Sequence, residues 1–381
     1  MFSWRTRLPA AINVLTERCR VLREAGVPLL DLTSSNPTEV GLFDDESWLV
    51  ALSKAEGSHY RPEPFGLLSA RQAVAEHYAT IGLRIDPQQV VLCGSTSEAY
   101  SWIFKLLTDP GETILVPRPS YPLLEHLATF SDARTLQYTV GYDGAYYIDI
   151  DSVQKQVTRQ TKALVLISPN NPTGSFTRRA ELDALLQFDI PIISDEVFSD
   201  YCLMPSHPDL ESSLVAESSL VFALGGLSKS CALPQLKLAW IVVGGKKNLR
   251  EQALGRLELI ADTFLSPNTP VQVALPELLD FGAQRHAQVK RRLLRNAATL
   301  RQLTENSAVN VWPAQGGWSA VLRLPLTVSE DWALLLLDEL HVLVQPGWFY
   351  DFTDDRIVVV SLLTEESDFA RGIERLVSRA S

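Results

Sequence analysis

Leu224-Gly-Gly-Leu-Ser-Lys229-Ser-Cys-Ala-Leu-Pro-Gln-Leu-Lys237-Leu-Ala-Trp240 is the stretch on which the reading of this chain turns. It opens at the end of an apolar run, Ser219 to Leu224, with the length and composition of a buried strand. A second such run, Leu238 to Val243, follows. Two glycines release the backbone between them, and Lys229 stands in a loop of small residues. Burial between strands lowers a lysine's pKa, and the neutral amine can form a Schiff base with an aldehyde. A solvated loop lysine is the plainer reading of such a residue taken alone. The rest of the chain has to decide.

Upstream, apolar runs alternate with helical patterns. Val90–Cys93 breaks at Gly94-Ser95-Thr96-Ser97 before a helix from Glu98 to Leu107. Thr113–Val116 leads into Pro117-Arg-Pro-Ser-Tyr121-Pro122, and Ala163–Ile167 ends in Ser168-Pro-Asn-Asn171-Pro-Thr-Gly174. Pro191–Ser194 ends in Asp195-Glu-Val-Phe198. This order predicts an α/β fold, a mostly parallel sheet covered on both faces, with ligands bound beyond the carboxyl ends of its strands. The unusual polar residues sit at those ends: Ser95–Ser97, Tyr121, Asn171, Asp195 and Lys229. Residues 46–56 read as helical, 135–150 as a polar, antiparallel segment, and 306–381 as a smaller α+β unit. Past Pro270 a long amphipathic helix presents Val289, Leu293, Ala297 and Leu300 on one face, and its basic run Lys290-Arg-Arg with Arg295 is expected to be a solvated face.

With 381 residues the chain is long enough for two or three domains. A net charge of -11 argues against nucleic-acid binding. No stretch has the length of a membrane span, and the N-terminus lacks a signal peptide's apolar core. Its arginines are interrupted by Glu17 and Glu24, and Ile12, Val14, Leu15 and Leu22 suit an amphipathic helix. The four cysteines, Cys19, Cys93, Cys202 and Cys231, lack metal-ligand spacing and are expected as free thiols in a reducing cytoplasm. No metal site is expected. Gly94–Ser97 before a helix can cup a phosphate on free N–H groups, although serines also cap helices for structural reasons alone. Tyr121 offers a ring face to a flat ligand. Asp195, largely buried, needs a cationic or hydrogen-bonding partner such as a pyridinium N–H. Asn171 can donate to a ring oxygen or simply make its turn.

Together these motifs resemble the class I/II aminotransferases, the fold-type-I enzymes that use pyridoxal 5′-phosphate. The resemblance runs from Tyr60–Gly66 and Arg71 through Gly94–Ala99, Pro119–Pro122, Ser168–Gly174, Asp195–Phe198 and Ser228-Lys229 to Leu343–Gly347. It implies a large cofactor-binding domain over 45–280 and a small α+β domain from 1–44 and 281–381. It also implies that Lys229 holds the cofactor as a Schiff base and shuttles a proton. Asp195 would pair with the pyridine nitrogen, Asn171 with the ring oxygen, and Tyr121 would stack. Ser95, Thr96 and Ser97 would hold the phosphate, with Ser228 nearby. Tyr60 would reach a neighbouring subunit's phosphate, which implies a homodimer with shared sites. Asn36, Arg61, Asn171 and Trp318 are the substrate-facing candidates.

Four positions depart from the family pattern. Phe198 replaces a tyrosine that donates to the ring oxygen, and Lys237 replaces a phosphate-binding arginine and its bidentate fork. Tyr60 stands one residue further from its glycine than expected. Val359 falls where the arginine for the substrate α-carboxylate belongs, with Arg356 three residues early. Arg61, Arg118 and Lys237 are the possible replacements; otherwise the substrate has no free α-carboxylate. The expected activity is transfer of an amino group from an amino compound to a 2-oxo acid. Two alternatives stay open: a lyase acting by β-elimination or decarboxylation on the same cofactor, and a non-catalytic cofactor-binding protein of the same fold.

Overall fold

A computed structural model describes residues 2–7, 13–204, 212–326 and 331–381. An eight-stranded sheet forms its centre, in the order Val90–Cys93, Ala239–Gly245, Leu220–Gly226, Ile192–Asp195, Thr161–Ile167, Thr113–Arg118, Arg134–Tyr142 and Tyr146–Ile148. Five neighbouring strands, from Leu220–Gly226 to Arg134–Tyr142, are parallel. Ala239–Gly245 runs antiparallel between Val90–Cys93 and Leu220–Gly226. Val90–Cys93 therefore exits at the same end as the parallel set. The segment expected to be antiparallel divides: Arg134–Tyr142 pairs parallel with Thr113–Arg118, and only the hairpin to Tyr146–Ile148 is antiparallel.

The continuous apolar runs follow from burial on both faces. Val91, Ile114, Val165, Ile193 and Phe222 pack on one side beneath helices Thr96–Leu107 and Lys247–Phe264. Leu92 and Val242 pack on the other side with helices Leu68–Thr80 and Thr269–Thr304, and Leu115, Leu164 and Ile192 with Arg179–Leu186. Residues 46–56, expected to be helical, form two 3-10 turns, Ser47–Ser53 and Ala55–Ser58. The N-terminal helix is Val14–Glu24, and Ile12 lies outside the described residues.

The helix Thr269–Thr304 ties the molecule together. Val271, Leu275 and Leu278 belong to the core against the large sheet, while Val289, Leu293 and Leu300 belong to a second core. That second core also holds Leu322, Val358, Val360, Phe369 and Leu376, around a four-stranded antiparallel sheet and the helix Glu366–Ala380. Where the helix passes the Lys229 turn, a Cβ built on Gly282 would lie 2.2 Å from Cys231 Sγ. Only glycine allows that approach. The basic run is not the uniformly solvated face expected of it: Arg292 is buried, donating to the carbonyls of Val40, Leu363 and Thr364, while Arg291 and Arg295 are exposed. Its position on the inward turn of the helix, beside Leu293, draws it in. All four cysteines are free thiols, and among the described residues no cluster could hold a metal ion and no helix is long and apolar enough to cross a membrane.

Candidate active site

Beyond the carboxyl ends of the parallel strands lies a cavity of about 340 Å³. Each strand ends in a change of direction that turns a polar side chain inward, and Thr96, Ser97, Tyr121, Asn171, Asp195 and Lys229 all line the cavity. They come from five different strand exits. Their assembly is a property of the sheet, because parallel strands deliver their ends to one rim.

Lys229 sits in a single helical turn, Leu227–Ser230, that begins as soon as the strand Leu220–Gly226 ends. The Tyr201 hydroxyl donates to its carbonyl at 2.6 Å and fixes the turn. Its Nζ lies 4.6 Å from the Trp318 ring centroid and 5.3 Å from that of Phe198. This enclosure removes the amine from water and lowers its pKa to about 8, the nearby Asp195 charge opposing only part of that shift. Asp195 closes its strand, and its carboxyl is pushed up to about 6 by burial, against the pull of the Val197 N–H, the Tyr100 hydroxyl and Lys229. Val197 N–H donates to Oδ1 at 3.2 Å and Tyr100 to Oδ2 at 3.0 Å.

At the other end of the cavity the helix Thr96–Leu107 begins. Ser95 Oγ accepts from Glu98 N–H at 3.2 Å, so this serine is spent on the cap and does not line the cavity. The first N–H groups of a helix have no partner within it, and Thr96 and Ser97 stand at that end with their hydroxyls. Asn171 is held by a clamped loop. Gly174, at φ 68°, passes so close to Gly316 that an added Cβ would come within 2.4 Å of the Gly316 oxygen, and Gly316 N–H donates to the Gly174 carbonyl at 2.9 Å.

Other expected residues lie elsewhere. Asn36 does not line the cavity; its Oδ1 accepts from Thr38 N–H at 3.1 Å in a local turn, and Thr33 and Ser35 of the same loop take its place. Ser228 is half-buried and Lys237 is exposed, neither of them lining the cavity. Tyr60, 75% exposed, and Arg61 lie on the surface. Trp318 and Phe198 form the wall over Lys229, their rings edge-to-face at 5.3 Å. Val359, only 1% exposed overall, lines the cavity where the arginine was sought. Arg356 is turned away onto Asp354, which also binds Arg323, and Arg118 donates to the Asp351 carbonyl. Among the described residues lining the cavity, Lys229 is the only cation. Sequence reasoning missed Tyr100, Gln345 and Ser361 as site residues. Tyr100 was detectable in principle, since it lies four residues after Thr96 on the same helical face.

The model of the family described as aminotransferase class I and II matches residues 27–375. The chain belongs to that family. Its members depend on pyridoxal 5′-phosphate. The cavity has the donor set for such a group: an amine of lowered pKa, a buried carboxyl and a free helix start on one rim. The chain is similar to the glutamate-pyruvate aminotransferase of Haemophilus influenzae, 28% identical over 264 residues, 68% of this chain and 65% of that protein, so the match spans about two thirds of the relative's length. It is also similar to an alanine aminotransferase of Mycobacterium tuberculosis, 27% identical over 377 residues, 93% of this chain and 86% of that one. A solved alanine aminotransferase from Pyrococcus furiosus superposes with a TM-score of 0.87 at 26% identity, covering 100% of this chain and 99% of the other.

Proposed function

We propose that this chain is a pyridoxal 5′-phosphate-dependent aminotransferase that moves an amino group from a donor amine to a 2-oxo acid. The observation that carries the reading is one cavity holding both the Lys229 amine, at a pKa of about 8, and the Asp195 carboxyl. The cofactor supplies an aldehyde and an electron-accepting ring. Lys229 Nζ would hold it, and the same amine would carry a proton to and from the donor's α-carbon, a task suited to an amine that titrates near neutrality. Asp195, ionised above about pH 6, holds a positively charged ring N–H. Asn171 orients the ring through its oxygen and Tyr121 covers a face. The Thr96–Ser97 helix start receives the phosphate, with Ser95 acting through the cap. Phe198 and Trp318 keep water from the amine. Ser228 and Lys237 lie outside the cavity lining, so in this scheme they act on the phosphate only from beyond it, Lys237 by charge alone.

A homodimer in the cytoplasm is part of the same reading, with the exposed Tyr60 and Arg61 serving the partner's site. The division into a domain over 45–280 and another over 1–44 with 281–381 is also part of it; the two separate cores support that division. Relatives that bear transaminase names favour amino transfer over elimination or decarboxylation. The donor is inferred from the walls. Among the described residues lining the cavity, a carboxylate beside Val359 meets neutral donors such as Gln345, Ser361 and Asn171, and no cation other than Lys229 is there for a second one. Monoamines and apolar amino acids should therefore react, and aspartate and glutamate poorly.

The test is to reduce one portion of the cofactor-loaded protein with borohydride and, on an unreduced portion, to record absorbance against a panel of amines and amino acids. Wild type should retain a covalently bound chromophore and Lys229→Ala should not. Donors should bleach the band and a 2-oxo acid should restore it. Equal covalent labelling of Lys229→Ala would overturn the reading. So would release of ammonia or carbon dioxide without an acceptor. Rapid bleaching by aspartate would overturn the donor class alone.

A further inference from the structure

A second cavity, about 480 Å³, lies away from the Lys229 site, between the loop Gly41–Asp45 and the middle of the long helix. Arg285, Arg291, Arg292 and Arg295 line it, together with Gln284 and Gln288. These residues recur every three or four positions and so share one helical face. Three carboxylates face the same space: Asp44, Asp45 and Glu366. Both Asp45 oxygens accept from Ser47, and Glu366 is shared by Arg292 and Arg295. The balance is one positive charge in excess, on a protein whose net charge is -11.

Arg285 distinguishes this groove from a solvated basic face. It is 6% exposed, and its guanidinium lies 4.1 Å from the Phe43 ring centroid and 5.0 Å from that of Phe281. Among the described residues its Nη groups donate only to backbone carbonyls, of Asp45 at 3.0 Å and of Ala232 at 3.4 Å, and the buried Nε has no hydrogen-bond partner. A buried guanidinium without a carboxylate bonded to it is costly, and a planar fork of donors is suited to oxyanions. Arg291, exposed on the same groove, has no ion pair among the described residues either.

We infer that this groove is a binding site for a small multivalent oxyanion, held by Arg285 and Arg291 with the amides of Gln284 and Gln288. The volume exceeds that of a bare phosphate and lies in the range of small-molecule sites, which fits a phosphorylated or polycarboxylate compound. The occupant would be joined to the catalytic turn: Arg285 donates to Ala232, which is held at φ 53° and whose N–H donates to the Lys229 carbonyl at 3.3 Å. The inference is independent of the amino-transfer reading.

The experiment measures thermal unfolding of the cofactor-loaded dimer or monomer, whichever is purified, with pyrophosphate, citrate, or sodium chloride at matched ionic strength. Loading with cofactor keeps the Thr96 helix start from serving as the anion site. Pyrophosphate or citrate should raise the Tm by a few degrees, on the order expected for a saturated ligand, and chloride should not. Which of the two acts at lower concentration distinguishes a phosphate from a carboxylate ligand. Arg291→Gln, at an exposed position, should fold normally and weaken the response about tenfold. Arg285→Gln should abolish it if it folds. An equal Tm rise with chloride, or a response unchanged in Arg291→Gln, would refute the site.

Discussion

Asp195 and Lys229 are shifted in opposite directions by the same cause, loss of water around a charge. Asp195 has a folded pKa raised from 3.8 to about 6, so its contribution to stability is full below about pH 4 and is lost as pH rises through about 6. Lys229 has a folded pKa lowered from 10.5 to about 8, so its contribution is full above about 10.5 and is lost as pH falls through about 8. Between about 6 and 8 the cofactor-free protein carries both charges at a cost. Cofactor-free Asp195→Asn should therefore be more stable than wild type at pH 7, by about 1–3 kcal/mol, with the difference disappearing near pH 4. The same variant should retain cofactor poorly. Denaturant unfolding at the two pH values, with and without cofactor, checks both statements. At Val359 the expected change is a gain. Val359→Arg should lower KM for aspartate about tenfold or more, because a buried Arg–carboxylate pair is strong and directional. Steady-state kinetics on aspartate and on an apolar donor, side by side, would show whether the effect is selective.

At the scale of elements, the loops matter more than the strands. The Asn171 loop holds its shape because Gly174 takes a left-handed conformation against the Gly316 backbone. Gly174→Ala adds both backbone strain and a 2.4 Å contact with an oxygen that cannot swing away. A loss of about 2 kcal/mol or more is expected, together with weaker cofactor binding. Thermal unfolding and cofactor titration of the variant test this, and unchanged values in both would show that the loop relaxes freely. The strand exits were legible because each apolar run is short, continuous and stopped by a glycine, proline or polar cluster. The 3-10 turns over 47–58 were not. Their helix-like pattern is cut by Lys54 and Gly57, and only packing against the long helix decides their form.

For the whole molecule, Tyr60 provides the decisive test of shared sites. It lies far out on the surface, 75% exposed. If it completes a neighbour's site, mixed dimers of Lys229→Ala with Tyr60→Ala contain one site with both residues intact. Refolding the two inactive or weakened variants together should restore activity above either alone. Activity no higher than the average of the parents would place Tyr60 outside the partner's site.

Lys229, Asp195, Asn171, Tyr121, Thr96 and Ser97 were readable from sequence because strand-end chemistry is local: a buried run, a backbone break, then a polar residue. Their convergence follows from parallel strands sharing a rim, and that too is encoded in the alternation of strand and helix. Tyr100 on Asp195, the Phe198–Trp318 wall, the departure of Asn36 and Lys237 from the cavity and the burial of Arg285 and Arg292 required the tertiary structure. Each depends on segments tens to hundreds of residues apart meeting at hydrogen-bond distance or closing out solvent, and residue order alone does not encode the separation or burial on which those energies depend.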